Sequence, residues 1–443
     1  LSELLAQQRV EDLTAGGLWE QLWPYAPAAA VAVVVSLIAT PVMRRIALTY
    51  GIVDWPDLKR KNHKRPVAYL GGLAIFLGWL VAVLYCLAAG IRSDDALPMP
   101  FVEFPIGIVL GAAAITITGV IDDVYGIRAR VKVGGQLFAA AALALEDVGP
   151  QLTANAIAVL GLQAPDPLAY FLGTLIIAFF VVGGCNAMNL LDGLDGLAAG
   201  VTTIAMLGFL GISLLVAARY PGIADGSRIV MCLATVGAAL GFLVFNFNPA
   251  RIFMGDAGSL LLGFLCAATM LMFTDTGSKA LLLTTACLIV FALPIVDSSL
   301  AIVRRKAAGM PILAPDNQHL HHLLRRAGLS VKQSVGVMYA LATLFAVLGV
   351  TMVLGEVRWR YVLAVTLALY VSLFGIGFWA ARAQRRQPTA QALPEVPTSW
   401  LERRQRTPAA ELIGQATGAP LRRREGDPDP GSPPAVSPPS SGG

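Results

Sequence analysis

Charge is scarce in this chain. Only 14% of its 443 residues are Asp, Glu, Lys or Arg, against 56% that are hydrophobic. A water-soluble domain could not cover its surface with so few charges, so a soluble globular protein is excluded. Cysteine is scarcer still: Cys86, Cys185, Cys232, Cys266 and Cys287 stand singly in apolar stretches, with no Cys-x-x-Cys pair. That removes the argument for a disulfide framework or a cysteine metal site. Neither a Walker A phosphate loop nor a strand-linked Gly-x-Gly-x-x-Gly fingerprint is present, which excludes the common soluble nucleotide-binding designs. The first 24 residues carry Glu3, Glu11, Asp12 and Glu20 without a basic leader and cleavage site, and do not read as a secretory signal peptide.

What is abundant is apolar sequence in runs of bilayer length, roughly 20 residues each. They predict an all-α polytopic membrane protein of about eleven spans, near 25–43, 69–90, 104–121, 133–146, 168–185, 197–218, 229–245, 258–273, 280–303, 334–354 and 360–381. Alternate loops differ sharply in charge. One set, with the C-terminal tail, holds 26 of the 33 Lys and Arg residues; the other holds seven. The positive-inside rule then predicts an extracytoplasmic N-terminus and a cytoplasmic C-terminus. Trp23 and Tyr25 suit an interfacial aromatic belt at the first outer boundary. Three regions follow: an extracytoplasmic segment 1–24, a membrane domain 25–381, and a basic tail 382–443 rich in Pro, Ser and Gly. Such a tail cannot bury enough apolar surface to fold and is expected to be disordered.

The polar residues left over collect at one membrane face. All four histidines and the acidic groups Asp122, Asp123, Asp192, Asp195 and Asp256 fall in the cytoplasmic set of loops. A transporter would instead keep its ionisable groups near the midplane; only Asp297 approaches that position. The first inner loop contributes a basic patch with Lys61 and His63, then Gly71-Gly72 for close backbone approach. In the second, the adjacent carboxylates Asp122 and Asp123 repel unless a cation or proton intervenes, which favours Mg²⁺ coordination or a shared-proton base. The third, 186–196, repeats a polar residue every three positions at Asn186, Asn189, Asp192 and Asp195, placing them on one side of a helical turn. Two Asp-Gly steps there suggest that the helix breaks. In the fourth, Asp256 either caps a helix or stands with helix N–H groups against a metal-bound phosphate. The fifth holds His319, His321, His322, Arg325 and Arg326, which fit phosphate binding better than a zinc site. No nucleic-acid-binding fold accompanies these basic residues.

In order, the signatures are Lys61-Asn-His63 with Leu70-Gly-Gly72, Asp122-Asp123, the 186–196 motif, Met254-Gly-Asp-Ala-Gly-Ser259 and His319-Leu-His-His322. Together they resemble the polyprenyl-phosphate N-acetylhexosamine-1-phosphate transferases, glycosyltransferase family 4, over roughly residues 28–380. The His-Leu-His-His form and the eleven-span outline are more similar to the WecA/TagO branch than to the MraY branch. The resemblance implies a bacterial cytoplasmic-membrane enzyme, and a homodimer is compatible with it. Its activity would be transfer of GlcNAc-1-phosphate from UDP-GlcNAc to undecaprenyl phosphate. UDP-MurNAc-pentapeptide is the alternative donor. It implies Mg²⁺, or Mn²⁺ in its place, held by Asp256 with Asp195. Asp122 and Asp123 would place the acceptor phosphate, one of them as base if a base is used. Lys61, His63, Asn186, Asn189, Asp192, Asp195, His319, His321, His322 and Arg325 would bind substrate.

Overall fold

Backbone N–H and C=O groups surrounded by lipid must be satisfied within their own segment, so long apolar runs become helices. The computed structural model describes residues 17–54, 66–91, 103–146, 166–219, 226–274, 276–307, 319–355 and 357–384, with the isolated positions 153 and 157. Lys61, His63, most of the 1–24 segment and the tail from 385 lie outside the described residues. The helices are α1 (Gly17–Leu22), α2 (Ala26–Tyr50), α3 (Gly71–Ile91), α4 (Ile106–Tyr125), α5 (Ala129–Leu145), α6 (Asp166–Leu191) and α7 (Leu197–Arg219). They continue with α8 (Gly226–Asn246), α9 (Gly255–Leu271), α10 (Ala280–Val290), α11 (Ala292–Ala307), α12 (Leu320–Arg326), α13 (Val331–Leu354) and α14 (Trp359–Gln384).

Among the described residues, seven helical units are long and apolar enough to cross a membrane: α1 with α2, α3, α4, α6, α7, α8 and α13. The pair α10–α11, bent by 71°, makes an eighth. Each of the eleven expected segments falls on helix, but α5, α9 and α14 do not reach that standard, and span nine is broken. The break has a local cause. Pro294 stands third in α11, where it lacks an N–H and its ring crowds the carbonyl four residues back.

Helix α9 is the centre of the bundle. All of its 17 residues except Asp256 are buried, the signature of a helix enclosed on every side. It packs on α3, α4, α6 and α7. Backbones come close enough to require glycine: a Cβ at Gly72 would stand 2.1 Å from Gly258 N, and one at Gly263 would stand 2.3 Å from Gly184 O. The N-terminus of α9 is thereby held at the ends of α3 and α4.

One small sheet departs from the all-helical expectation. β1 (Val53–Asp54) pairs antiparallel with β2 (Val67–Ala68), and Ala68 bridges to Ile252. Two-residue strands carry no alternating pattern, so nothing local announces them. They tie the segments after α2 and before α3 to the segment leading into α9.

Candidate active site

The polar centre is built around the first turn of α9. Helix N-termini leave backbone N–H groups without intrahelical partners. Here the partner comes from another helix: Asp123, in the last turn of α4, accepts from the N–H of Asp256 at 2.7 Å and of Ala257 at 3.1 Å, one bond per carboxylate oxygen. Gly255 permits this twice over. Its φ is +66°, and a Cβ there would lie 2.3 Å from an Asp123 oxygen. The cap that sequence reasoning weighed for Asp256 is thus supplied by Asp123, which leaves the Asp256 side chain free to face the site.

Two neighbours orient that side chain. Lys132, in the first turn of α5, pairs with Asp256 and with Asp122, the latter at 2.6 Å. Asn189 Nδ2 donates to Asp256 Oδ1 at 2.8 Å and to Ser259 Oγ at 3.0 Å. Asp122 also accepts from the N–H of Ile127 at 2.9 Å, closing the α4–α5 turn. One turn from Asn189, Asn186 donates to Gln136 Oε1 at 3.0 Å and to the Val182 carbonyl at 2.8 Å. Helix α6 runs on through Leu191, beyond the expected end at 185, so both asparagines sit on helix while Asp192 and Asp195 occupy the break.

That break, the 192–196 turn, is stitched to the segment before α9. Asp195 Oδ2 accepts from Asn248 Nδ2 at 2.8 Å and from the Ala250 N–H at 3.0 Å. Buried Asn246 accepts from the Gly196 N–H at 3.0 Å and donates to the Ile252 carbonyl at 2.9 Å. Gly71 and Gly72 donate in turn to the carbonyls of Phe253 and Met254. Burial pushes the Asp192 carboxyl up to about 8, with help from the negative charges of Asp256, Asp123 and Asp195.

The histidine segment uses a second cross-helix cap. Asp297 of α11, 3% exposed, accepts from the Leu320 N–H at 2.7 Å and lies 3.0 Å from His319 Nδ1. The pairing holds Nδ1 of His319 and leaves Nε2 as its other ring nitrogen. The His319 and His321 rings lie parallel, 5.8 Å apart, and His322 stands 4.2 Å from His321 between centroids. His321 is 1% exposed with neither ring nitrogen hydrogen-bonded. A Cβ at Gly193 would meet its Nε2 at 2.2 Å. Burial, then His322, lower its pKa to about 3. It is a neutral ring wedged against the 192–196 turn, so as found it braces that turn. Arg325 donates to the Leu329 carbonyl in the turn that follows α12.

The structure therefore brings Asp122, Asp123, Asn189, Asp192 and Asp256 together, and sets the histidine segment against the 192–196 turn. Two participants and one pairing escaped sequence reasoning. Lys132 was visible only as one of several basic residues after Asp122. Gln136 lies one turn further along α5, a spacing of four. The partner of Asp297 was undetermined because His319 is 22 residues away across the end of a helix. The donor atoms are carboxylate and amide oxygens, which suit Mg²⁺ or Mn²⁺. Among the described residues no three Asp, Glu, His or Cys groups form a ready metal cage. Mg²⁺ does not need one, because it commonly takes one or two carboxylates and completes its shell with water and substrate phosphate. The residues fit that incomplete shell.

Comparison with known proteins is consistent in direction. The family model for glycosyl transferase family 4 matches residues 105–274, the stretch from the start of α4 to just beyond α9. A Bacillus subtilis protein named probable undecaprenyl-phosphate N-acetylglucosaminyl 1-phosphate transferase is 36% identical over 72% of this chain and 82% of its own length. The Mycobacterium tuberculosis decaprenyl-phosphate N-acetylglucosaminephosphotransferase is 35% identical over 70% of this chain and 77% of its own. The Escherichia coli K12 undecaprenyl-phosphate alpha-N-acetylglucosaminyl 1-phosphate transferase is 29% identical over 75% and 85%.

Proposed function

The chain belongs to glycosyl transferase family 4, and from that premise we propose that it transfers GlcNAc-1-phosphate from UDP-GlcNAc to a polyprenyl phosphate. The observation that carries the reading is the cluster at the start of α9, where carboxylates, an asparagine amide and Lys132 converge beside apolar helices. Such a cluster serves a reaction between a water-soluble phosphate ester and a lipid phosphate. We propose that the site faces the cytoplasm of a bacterial inner membrane, because the basic loops share its side. The step would open a cell-envelope polysaccharide pathway.

In the proposed reaction a phosphate oxygen of the acceptor attacks the sugar-bearing phosphorus of the donor. A P–O bond forms there, and the P–O bond to the nucleotide phosphate breaks. The products are polyprenyl-diphosphate-GlcNAc and UMP. No proton need be removed, since a phosphate monoester is largely ionised near neutral pH. Phosphoryl transfer depends chiefly on position and electrostatics. Lys132 offers an ammonium to the acceptor phosphate, with Asp122 fixing its direction. Asp123 holds the first turn of α9 and hence Asp256. Asn189 aligns the Asp256 carboxylate. Asp192 and Asp195 border the nucleotide side, and His319, steadied by Asp297, presents Nε2 to the donor diphosphate with His322. Mg²⁺, when bound, would neutralise charge on the diphosphate and leaving group, and Asp256 and Asp195 would hold it.

The test is transfer of label from radioactive UDP-GlcNAc to undecaprenyl phosphate in detergent, with Mg²⁺ or EDTA, by wild type and Asp256→Asn. Labelled lipid that needs Mg²⁺ and disappears in the variant is the expected result. A folded wild type that labels lipid only from UDP-MurNAc-pentapeptide would overturn the donor, and one that labels none would overturn the reaction.

A further inference from the structure

The 192–196 turn is gripped from two directions by the C-terminal part of the chain. His321 presses on Gly193 from one side. From the other, Tyr339 of α13 lays its ring on the start of α7, where a Cβ at Gly200 would stand 2.0 Å from the phenolic oxygen and 2.1 Å from Cζ. Two glycines, 196 and 200, make the slot in which that ring lies. The Tyr339 hydroxyl donates to the Gly196 carbonyl at 2.6 Å. The N–H of the same residue is held by Asn246 at 3.0 Å. Gly196, at φ +78°, is therefore fixed at both its amide and its carbonyl, immediately after Asp195.

Tyr339 is also placed to feel the histidine segment. Helix α12 packs on α13, and α13 starts two residues beyond the turn that ends α12, under a capping box made by Ser330 and Gln333. The histidines and Tyr339 thus ride on consecutive helices joined by a short turn, and His321 and Tyr339 both bear on the 192–196 turn. We infer that Tyr339 is a positioning residue that keeps the 192–196 turn in register with the histidine segment, and through them shapes the donor side of the site. The assignment of that side to the UDP-sugar rests on the proposed transferase function.

The experiment uses the full chain in detergent and varies UDP-GlcNAc and undecaprenyl phosphate separately for wild type, Tyr339→Phe and Tyr370→Phe. Direct UDP-GlcNAc binding is measured by calorimetry alongside. Tyr370 supplies the control, because its hydroxyl donates to the Leu288 carbonyl at 3.1 Å, another interhelical bond of the same kind. Loss of one hydroxyl bond in Tyr339→Phe is expected to raise the donor KM and Kd about fivefold. The acceptor KM should stay within about twofold of wild type, and the thermal midpoint should match that of Tyr370→Phe. Tyr370→Phe should keep wild-type constants. A fully active wild type whose Tyr339→Phe form binds donor normally, or loses donor and acceptor affinity alike, overturns the inference alone. A wild type that neither transfers from nor binds UDP-GlcNAc overturns the transferase reading and this inference with it.

Discussion

Replacing Asp123 by Asn separates two roles that look alike in sequence. If Asp123 faces the acceptor phosphate, its loss should weaken acceptor binding. If it holds α9, its loss should displace Asp256. Its two oxygens accept from Asp256 N–H at 2.7 Å and Ala257 N–H at 3.1 Å. Hydrogen bonds to charged groups contribute about 1.5–3 kcal/mol each. In asparagine one oxygen becomes an NH₂ that cannot accept, so one bond is lost and a donor faces a donor. Where the Asp123 carboxyl is ionised, the helix N-terminus also loses a negative charge worth about 0.3–1 kcal/mol. Allowing for partial solvent access, the net loss is about 2–3 kcal/mol. Expressed in the transition state, that is roughly a 30- to 150-fold fall in kcat. Label transfer at saturating donor and acceptor, repeated across a Mg²⁺ titration, reads the effect. The expected pattern is a reduced kcat, a higher Mg²⁺ requirement and an acceptor KM close to wild type. An Asp123→Asn enzyme with normal kcat and a raised acceptor KM would refute the capping argument.

Asp297→Asn removes the carboxylate that steadies His319 and caps α12; kcat should fall about 10- to 100-fold, as for other residues that orient a functional imidazole, and undiminished turnover would count against the pairing. Asp192, raised to about 8 chiefly by burial, stabilises the fold in its neutral form. That contribution is complete below an ordinary carboxylate pKa of about 4 and is lost as pH rises through about 8. In EDTA the thermal midpoint should therefore decline between about pH 4 and 8 and level off above, and Asp192→Asn should flatten the decline; equal slopes in the two proteins would contradict the assignment.

Sequence alone was sufficient for whatever depends on composition and local spacing. Apolar runs located the helices, because lipid leaves a backbone no other common solution. Spacing by three correctly put Asn186 and Asn189 on one helical face, and the Asp-Gly steps marked where α6 ends. Asp122, Asp123 and Asp256 stood out as candidates because carboxylates beside apolar spans are costly without a purpose. What sequence could not settle is which group faces which. Asp122 and Asp123 are adjacent and chemically identical, yet successive helix positions point about 100° apart. One meets Lys132 and the other meets the N-terminus of α9. The same holds for His321, a candidate phosphate ligand by type that packing against Gly193 turns into a neutral brace. The two-residue strands and the Asp297–His319 pair join segments distant in the chain. Such partners are chosen by how helices pack, and packing depends on shape across the whole bundle, which no local window of residues contains.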